Sequence, residues 1–358
     1  MTLSLCMIVK DEAAVLSRCL SSICSGVDEM IIVDTGSTDN TKEIALSFGA
    51  KVYDFPWCDN FSAARNFALS KTTMDYWMWM DADDILPDAQ LPDFLKLKEQ
   101  LTDDTDIVMM KYETSFDEQG KPLFSFYRER ILKKSRHYIW EGPVHEAITP
   151  FGNLLYSSIA IHHKKIHVKD SDRNLRIYEK WIKSGHPLEA RHQFYYAREL
   201  YDHRNYQKAI QQFEQFLTRP DGWYVNKLDA CRLLSCCYHE ISDEPKALQS
   251  LFASFAYDIP GAEIFCDLGA WFFRHEKFLQ SIFWYSQALN SPKDETSGKF
   301  LLDECYGYLP CIWLCVCYDK LGEYKKAALY NEKAGMYKPY GKEYLENKIY
   351  FQTVHHFS

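Results

Sequence analysis

The chain lacks the features that mark membrane-spanning or nucleic-acid-binding proteins. No apolar run approaches the roughly 18 residues of a transmembrane helix, and residues 1–14 contain no basic segment before an apolar one. We therefore expect neither a transmembrane segment nor a signal peptide. Lys and Arg form no run, and the formal net charge is −9, so we expect no binding to nucleic acid.

Motifs for several common cofactors are absent too. The twelve cysteines include no Cys-x-x-Cys pair, which argues against a zinc site. Several cysteines lie in apolar, helix-patterned segments, and we expect free buried thiols in a reducing cytoplasm. No Gly-x-Gly-x-x-Gly follows the first strand-like segment and there is no Walker A motif, so a dinucleotide-binding site or a P-loop is not expected.

The length and the change of pattern along the chain predict two domains. The 358 residues, 47% of them apolar, suffice for two cores. We predict an α/β domain over residues 1–168 and an all-α domain over residues 169–358. Near the end of the first domain, segments 107–112 and 123–126 flank a turn at 117–120, which predicts a hairpin or edge strands.

Short apolar segments alternate with helix-patterned ones in the first part of the chain. The strand-like segments are residues 3–9, 30–33, 51–53 and 76–80. Ser37 and Thr38 are candidate N-caps of a helix that ends just before Gly49. A βαβα series of this kind predicts a parallel sheet with helices on both faces.

The second half of the chain is self-similar. Helix-patterned segments, each with a Pro as its last residue, occur at 205–220, 244–260, 277–292 and 323–339. They align on the small residues Ala209, Ala247, Ser281 and Ala327. The intervals (209 to 247, 247 to 281, 281 to 327) are 38, 34 and 46 residues, close to the tetratricopeptide repeat with insertions. We therefore predict repeated helix pairs, with an unrelated helical bundle as the alternative.

Three carboxylates follow the fourth strand-like segment. Asp81, Asp83 and Asp84 come directly after WMWM, and their like charges repel at this spacing. Strand ends of this kind line the ligand crevice of an open α/β sheet. An Asp-x-Asp pair suits Mg²⁺, which completes its coordination with substrate phosphates and water. The alternative is that Asp83, Asp84 and Asp88 only cap and charge the next helix.

Four sequence segments together carry a resemblance to a known family. They are CMIVKDEAAVLSRCLSSI, IIVDTGSTDNT, FSAARNFAL and WMWMDADDIL, in this order within the first 86 residues. In this arrangement they resemble family 2 glycosyltransferases of the GT-A fold, over about residues 1–165. WEGPVHE (140–146) and IHHKK (161–165) further resemble the sublancin-type bacteriocin S-glycosyltransferases, whose catalytic domain carries tetratricopeptide repeats. The resemblance implies a GT-A (nucleotide-diphospho-sugar transferase) domain followed by a repeat domain.

The resemblance also implies roles for five residues of a donor site. Asp34 matches the position that contacts the uracil or the ribose, and Val9 would contribute backbone contacts to the base. Arg65 matches a basic residue near the base and the diphosphate. Asp81 matches the first Asp of the motif, near the ribose and metal-bound water. Asp83 matches the second Asp, the direct metal ligand.

A catalytic carboxylate is expected further along the chain. Glu146 lies 63 residues past Asp83 (83 to 146), where inverting members of the family present their base. Inversion needs a group that takes the acceptor proton on the face opposite the leaving group. Many relatives have a Glu-Asp pair here, whereas this chain has His145 and Glu146. Glu146 is the predicted base and Glu141 the alternative, and a polar loop without a catalytic role remains a further interpretation.

The remaining candidates are two histidines, two arginines and the third carboxylate. A His after the last strand ligates the metal in some relatives, and on that resemblance we favour His163 over His162; an exposed His pair is the alternative. Imidazole suits Mn²⁺ better than Mg²⁺. Arg128 and Arg130 are interpreted as a surface network with nearby carboxylates, with diphosphate binding as the alternative. Asp84 is expected only to cap a helix.

These residues lead to one prediction of function. We expect a cytoplasmic, inverting glycosyltransferase that uses Mn²⁺ or Mg²⁺ and transfers a sugar from a UDP-sugar to a peptide or protein acceptor. The repeats would bind the acceptor or form a homodimer. The alternatives are a glycosyltransferase that acts on a cell-surface glycan and a non-catalytic repeat scaffold with a degenerate transferase domain.

Overall fold

The chain folds into two compact units, Met1–Leu188 and Glu189–Ser358. The computed structural model describes residues 1–117, 120, 122–166 and 170–354. The domain boundary predicted between residues 168 and 169 lies outside the described residues. The first unit extends beyond it to include a helix over Arg173–Lys183, which contacts the α/β part through Tyr178 and Lys180.

The described part of the first unit contains eight strands and five helices. The strands are β1 (Leu3–Val9), β2 (Glu29–Asp34), β3 (Lys51–Asp54), β4 (Tyr76–Trp79), β5 (Asp84–Ile85), β6 (Ile107–Phe116), β7 (Pro122–Lys133) and β8 (Leu154–His163). The helices are α1 (Leu16–Ile23), α2 (Thr41–Ser47), α3 (Phe61–Lys71), α4 (Leu91–Gln100) and α5 (Arg173–Lys183). The four strands predicted in the first part of the chain are therefore confirmed.

One mixed sheet joins all eight strands, in the order β3-β2-β1-β4-β7-β6-β8-β5. The first four strands in sequence are parallel, as predicted. The later strands make the sheet mixed: β7 is antiparallel to both β4 and β6, β5 is antiparallel to β8, and β6 and β8 are parallel. The β6–β7 hairpin is confirmed, although it lies inside the sheet rather than at an edge, and residues 118 and 119 of its predicted turn lie outside the described residues.

Strand β4 is apolar throughout because both faces of the sheet are covered. Tyr76 and Met78 pack into a cluster with α1 and α4 on one face. Trp77 and Trp79 pack into a second cluster with α3 on the other face. A strand buried on both faces shows no alternation of polar and apolar residues. The predicted helices on both faces are therefore confirmed.

The start of α2 differs from the prediction. The helix begins at Thr41, so neither Ser37 nor Thr38 is its N-cap. Both side chains instead bond to the loop after β1: the Ser37 Oγ accepts from the backbone N–H of Asp11, and Thr38 donates to the Asp11 carboxylate from its backbone and its hydroxyl. The predicted end of the helix is confirmed, since Gly49 follows it with a φ of 77°.

A buried carboxylate of β2 leads to a prediction about acid stability. Burial opposes the ionisation of Glu29, but hydrogen bonds from Lys51, Ser4 and Thr73 outweigh it and hold its pKa at about 2. A lowered pKa adds stability at pH values above the unfolded pKa of 4.5, and this stability is lost as the pH falls towards 2. In the unaltered chain, protonation of Glu29 should cost up to about 3 kcal/mol of unfolding free energy between pH 6 and pH 2. We expect Glu29→Gln to lack this part of the acid-induced loss, as measured by urea denaturation at both pH values. Identical pH dependence of the two chains would contradict this assignment.

The second unit consists of paired helices. Its helices are α6 (Ala190–Asp202), α7 (Tyr206–Leu217), α8 (Tyr224–Glu240), α9 (Glu244–Ala253), α10 (Ala262–Arg274), α11 (Phe278–Asn290), α12 (Tyr308–Lys320), α13 (Tyr324–Tyr337) and α14 (Lys342–Val354). The four aligned small residues lie on the second helix of each pair, and each is fully buried: Ala209, Ala247, Ser281 and Ala327. The predicted pairs α6–α7, α8–α9, α10–α11 and α12–α13 are therefore confirmed.

No helix in the described parts of the chain combines the length and the apolar character needed to cross a bilayer. The cysteines are all free thiols and most are buried, as predicted. Cys311, Cys315 and Cys317, for example, are buried residues of α12, and burial raises the pKa of each of these thiols above its usual value. Thiols of this kind contribute to packing as small apolar groups.

Candidate active site

The carboxyl ends of three neighbouring strands bring the first polar groups together. Strands β2, β1 and β4 are parallel and adjacent, and Val9 is directly paired with Asp34. The loops that leave β1 and β2 are joined by the bonds between Asp11 and Thr38. Asp81 follows the end of β4. These groups therefore share one edge of the sheet, as expected for parallel strands.

Asp34 offers an unused acceptor at this edge. Its Oδ1 accepts hydrogen bonds from the backbone N–H groups of Gly36 and Ser37, both at 2.9 Å. Its Oδ2 is buried and has no hydrogen-bond partner among the described residues. A buried carboxylate oxygen needs a donor, which a ligand N–H would supply. The carbonyl oxygen of Val9 already accepts two hydrogen bonds from Thr35, so a contact from Val9 to a base remains a prediction.

Arg65 of α3 connects two of the predicted site carboxylates. Its Nε lies 2.6 Å from the Glu146 Oε1, and its Nη2 lies 2.7 Å from the Asp81 Oδ1. The guanidinium also lies over the rings of Trp79 and Trp140, at 5.3 and 4.8 Å from their centres. Burial opposes the ionisation of Asp81, but Arg65 outweighs it and holds the pKa of Asp81 at about 2. The planar fork of Arg permits both contacts at once, which Lys cannot reproduce.

A second cluster contains Asp83, Asp84 and His163. One ligand atom from each lies within 4.8 Å of the other two. The Nδ1 of His163 is 3.3 Å from the Asp83 Oδ1 and 3.1 Å from the Asp84 Oδ1. Burial raises the pKa of Asp83, and the charges of Asp81 and Asp84 raise it further, against the opposing effect of His163. Burial lowers the pKa of His163, but its bond to Asp84 and the nearby carboxylates give a net rise.

The position of Asp84 corrects its interpretation as a helix cap. It belongs to β5, is fully buried, and its Oδ2 accepts from the backbone N–H of Asp81. The hydroxyl of Tyr112 donates to its Oδ1 at 2.9 Å, and Arg130 lies 3.1 Å from its Oδ2. Asp84 thus belongs to the carboxylate cluster. The structure also shows that the surface interpretation of Arg130 is wrong, because this side chain is fully buried beneath the cluster.

The burial of Arg130 predicts a large effect on stability. Its guanidinium carbon lies 3.7 Å from the ring centre of Trp79, and its Nη1 also donates to the Trp79 carbonyl oxygen. Arg130→Met would leave the charge of Asp84 buried without its cation, and we expect a loss of about 3 kcal/mol in unfolding free energy, measured by urea denaturation. Arg176→Met is the control, since Arg176 and its partner Asp170 are both exposed, and there we expect less than about 1 kcal/mol. Equal losses in the two variants would contradict the role of burial.

The remaining residues proposed from the sequence differ in whether they lie beside the site. His162 points to Glu113, with its Nε2 at 2.9 Å from the Glu113 Oε2, and is not one of the three clustered groups. Glu141 is exposed and forms an isolated bridge with Ala147. Glu146 is the better buried of the two glutamates, with a side chain 11% exposed, and it contacts Arg65 directly. Of the alternatives weighed from the sequence, His163 and Glu146 are the ones that lie beside the other site residues.

The arrangement fits a divalent cation. Two carboxylates and one imidazole provide oxygen and nitrogen ligands, a set that Mn²⁺ accepts well. Burial and the charges of Asp81 and Asp84 raise the pKa of Asp83, and a cation bound here would offset both effects. Tyr112, which no sequence motif indicates, also belongs to the site, because its hydroxyl lies 2.8 Å from the His163 Nδ1.

Known proteins resemble parts of this chain. Residues 4–159 match the glycosyl transferase family 2 model. A TPR repeat-containing protein of Synechococcus elongatus is 53% identical over 83 residues, 23% of this chain and 21% of that protein. The SPbeta prophage-derived glycosyltransferase SunS of Bacillus subtilis is 25% identical over 219 residues, 56% of this chain and 49% of that protein. The matched parts thus span less than half of each of these two relatives.

Among solved structures, glucosyl-3-phosphoglycerate synthase from Mycobacterium tuberculosis, in complex with Mn²⁺ and UDP-glucose, is 16% identical. The match covers 53% of this chain and 81% of that one, with a TM-score of 0.37. The family match extends from β1 into β8 and includes every strand end described above. The helix pairs of the second unit follow it in sequence. Residues 4–159 therefore form a glycosyl transferase family 2 domain built on the α/β sheet, and helix pairs that repeat at tetratricopeptide-like intervals follow it.

Proposed function

We propose that this chain is a metal-dependent glycosyltransferase that moves a sugar from a UDP-sugar to a peptide or protein acceptor with inversion. The observation that carries the proposal is the cluster of Asp83, Asp84 and His163 beside the pair of Arg65 and Asp81. It combines ligands for a cation with a buried guanidinium at one strand end. A nucleoside diphosphate-sugar needs both, because its two phosphates carry the charge that leaves with the nucleotide.

Different residues of the site would bind different parts of the donor. Asp34 provides its free Oδ2 as an acceptor for an N–H of the uracil ring. Arg65 contributes positive charge near the diphosphate, and Trp79 and Trp140 support its guanidinium. Asp83, Asp84 and His163 would hold Mn²⁺ or Mg²⁺, which stabilises the departing diphosphate when bound.

Glu146 is the proposed general base. Its carboxylate would take the proton of the acceptor as the acceptor atom attacks the anomeric carbon in a single displacement. The side chain lies close to the donor residues, because Arg65 bonds both Glu146 and Asp81. The same link orients the carboxylate before the acceptor arrives. No covalent intermediate on the enzyme is needed for this step.

The second unit is proposed to hold the acceptor. Repeated helix pairs present extended surfaces suited to peptides, which favours a peptide or protein acceptor over a glycan. A homodimer formed through the repeats is an additional proposal of ours. We also propose a cytoplasmic location, since a chain with twelve free and mostly buried thiols suits a reducing compartment.

The test combines donor binding with donor turnover. UDP together with Mn²⁺ should raise the melting temperature of the chain by more than either alone, because a ligand that binds only the folded state stabilises it. UDP release from a panel of UDP-sugars then identifies the sugar. Absence of both a melting shift and UDP release with every donor would refute the enzymatic proposal and favour a repeat scaffold.

A further inference from the structure

The connection between α11 and α12 is unusually long for this array. It covers residues 291–307 and accounts for the 46-residue interval between Ser281 and Ala327. Its residues 293–303, called the strap below, read KDETSGKFLLD. Residues 293–296 of the strap are exposed, but its later residues contact other repeats. It runs back towards repeats that come much earlier in the chain.

The middle of the strap reaches the first two repeats. Gly298 packs against Trp223, the residue just before α8, so closely that an added Cβ would lie 2.9 Å from the indole. Its φ of 73° also favours glycine at this point. Phe300 lies under the guanidinium of Arg198 on α6, with 5.6 Å between the guanidinium carbon and the ring centre. The strap therefore contacts elements about 75 to 100 residues earlier in sequence, at positions 223 and 198.

The second half of the strap is held by the third repeat. The Nζ of Lys299 lies 2.9 Å from the Asp258 Oδ2, and it also donates to the carbonyl oxygen of Ile259 just before α10. Leu301 is 3% exposed. The strap is thus held by an ion pair, a hydrogen bond to a backbone carbonyl and a buried apolar side chain. Peptides bound to protein surfaces are held by the same kinds of contact.

Glu263 of α10 anchors the end of the strap. This carboxylate is 6% exposed, so it requires hydrogen-bond donors. Its Oε1 accepts the backbone N–H of Leu302 at 2.8 Å, and its Oε2 accepts the hydroxyl of Tyr306 at 3.2 Å. One donor is thus a main-chain N–H of the strap itself, an interaction that any extended peptide can provide.

These contacts share one row of the array. They involve α6 and α10, which are the first helices of their pairs, and the connections that lead into the first helices α8 and α10. In stacked repeats such a row forms an extended surface for ligands. Acidic side chains at Asp258 and Glu263 accept the Lys and backbone donors of the strap, and Arg198 covers its aromatic ring.

We propose that the strap is a built-in occupant of the first-helix face, and that an extended peptide with a Lys-aromatic-aliphatic sequence competes with it for the same contacts. The proposal goes beyond sugar transfer, since it concerns binding by the repeats alone. A tethered segment acts at an effective concentration that is roughly millimolar, so the strap weakens the binding of any free peptide until it is displaced.

Peptide binding to the full chain tests the proposal. The probe is a fluorescein-labelled peptide with the sequence of residues 297–303, SGKFLLD. In one variant, residues 294–301 are replaced by eight Gly and Ser residues, which keeps the length of the connection. We expect this variant to bind the probe at least tenfold more tightly than the intact chain, as measured by fluorescence anisotropy. A probe with Ser in place of its Phe and its first Leu should bind neither chain.

A control variant and a measurement on the intact chain make the test independent of whether the replaced chain folds. Asp294→Ala changes only a turn contact to Thr296 and should leave probe binding at the level of the intact chain. In the intact chain, millimolar unlabelled peptide should accelerate hydrogen exchange at the amide of Leu302. Equal probe binding by the intact and the folded replaced chain, or no binding by either, would overturn the proposal. So would unchanged exchange at Leu302, and this result decides the matter if the replaced chain does not fold.

Discussion

Asp83→Ala is expected to abolish the part of UDP binding that depends on metal and to reduce sugar transfer by roughly 10³-fold, equivalent to about 4 kcal/mol of transition-state stabilisation. Asp83 is the least buried carboxylate of its cluster, and it lies 3.3 Å from His163. It is therefore well placed to bind a cation from solvent. The measurement is the melting shift produced by UDP with Mn²⁺, together with the rate of UDP release.

The same substitution should leave the ligand-free chain as stable as before, or more stable. Burial and two neighbouring carboxylates raise the pKa of Asp83, which means that its charge is unfavourable in the absence of a cation. Loss of both stability and UDP binding would point to a structural role instead. Asp88→Ala is the matched control, because Asp88 is an exposed carboxylate on the following turn and is not one of the clustered groups. It should retain full metal-dependent binding.

Local sequence patterns predict most strands and helices of this chain, because burial requires apolar or small residues at the buried positions. The unbroken apolar run of β4 follows from its cover on both faces, and the small residues at Ala209 and Ala247 follow from close helix packing. No such pattern indicates whether β7 runs parallel or antiparallel to its neighbours. Strands β4 and β7 are antiparallel because the chain returns through the β6–β7 hairpin, a property of the topology rather than of any one segment.

The interpretation of Asp84 failed for a related reason. Its sequence neighbours suggest the start of a helix, but its partners are 28 residues away at Tyr112 and 46 residues away at Arg130. No local pattern reveals such pairing. Arg130 is an exception to the rule that charged residues are rarely buried, and only the three-dimensional structure shows the buried carboxylate that compensates it. By contrast, the motif that contains Asp81 and Asp83 was recognisable from its position after a strand.

Glu146→Gln is expected to separate donor binding from transfer. The amide oxygen of Gln can still accept the hydrogen bond that Arg65 now donates to Glu146 at 2.6 Å, so the position of Arg65 and its contact to Asp81 should persist. The amide cannot take a proton, however. We therefore expect an unchanged melting shift with UDP and Mn²⁺, and a fall in sugar transfer of about 10²–10⁴-fold, the usual contribution of a general base.

Glu141→Gln provides the comparison for this prediction. Glu141 belongs to the same WEGPVHE segment but is exposed, and its backbone bridge to Ala147 does not depend on the carboxylate. Transfer by this variant should stay within about twofold of the unaltered chain, since an exposed carboxylate contributes little to the surrounding structure. If Glu141→Gln lost transfer while Glu146→Gln kept it, the base would be Glu141, and the contact between Arg65 and Glu146 would serve only to orient the donor site. If both variants kept full activity, the proton would leave through another group and the single-displacement role assigned to this segment would be wrong.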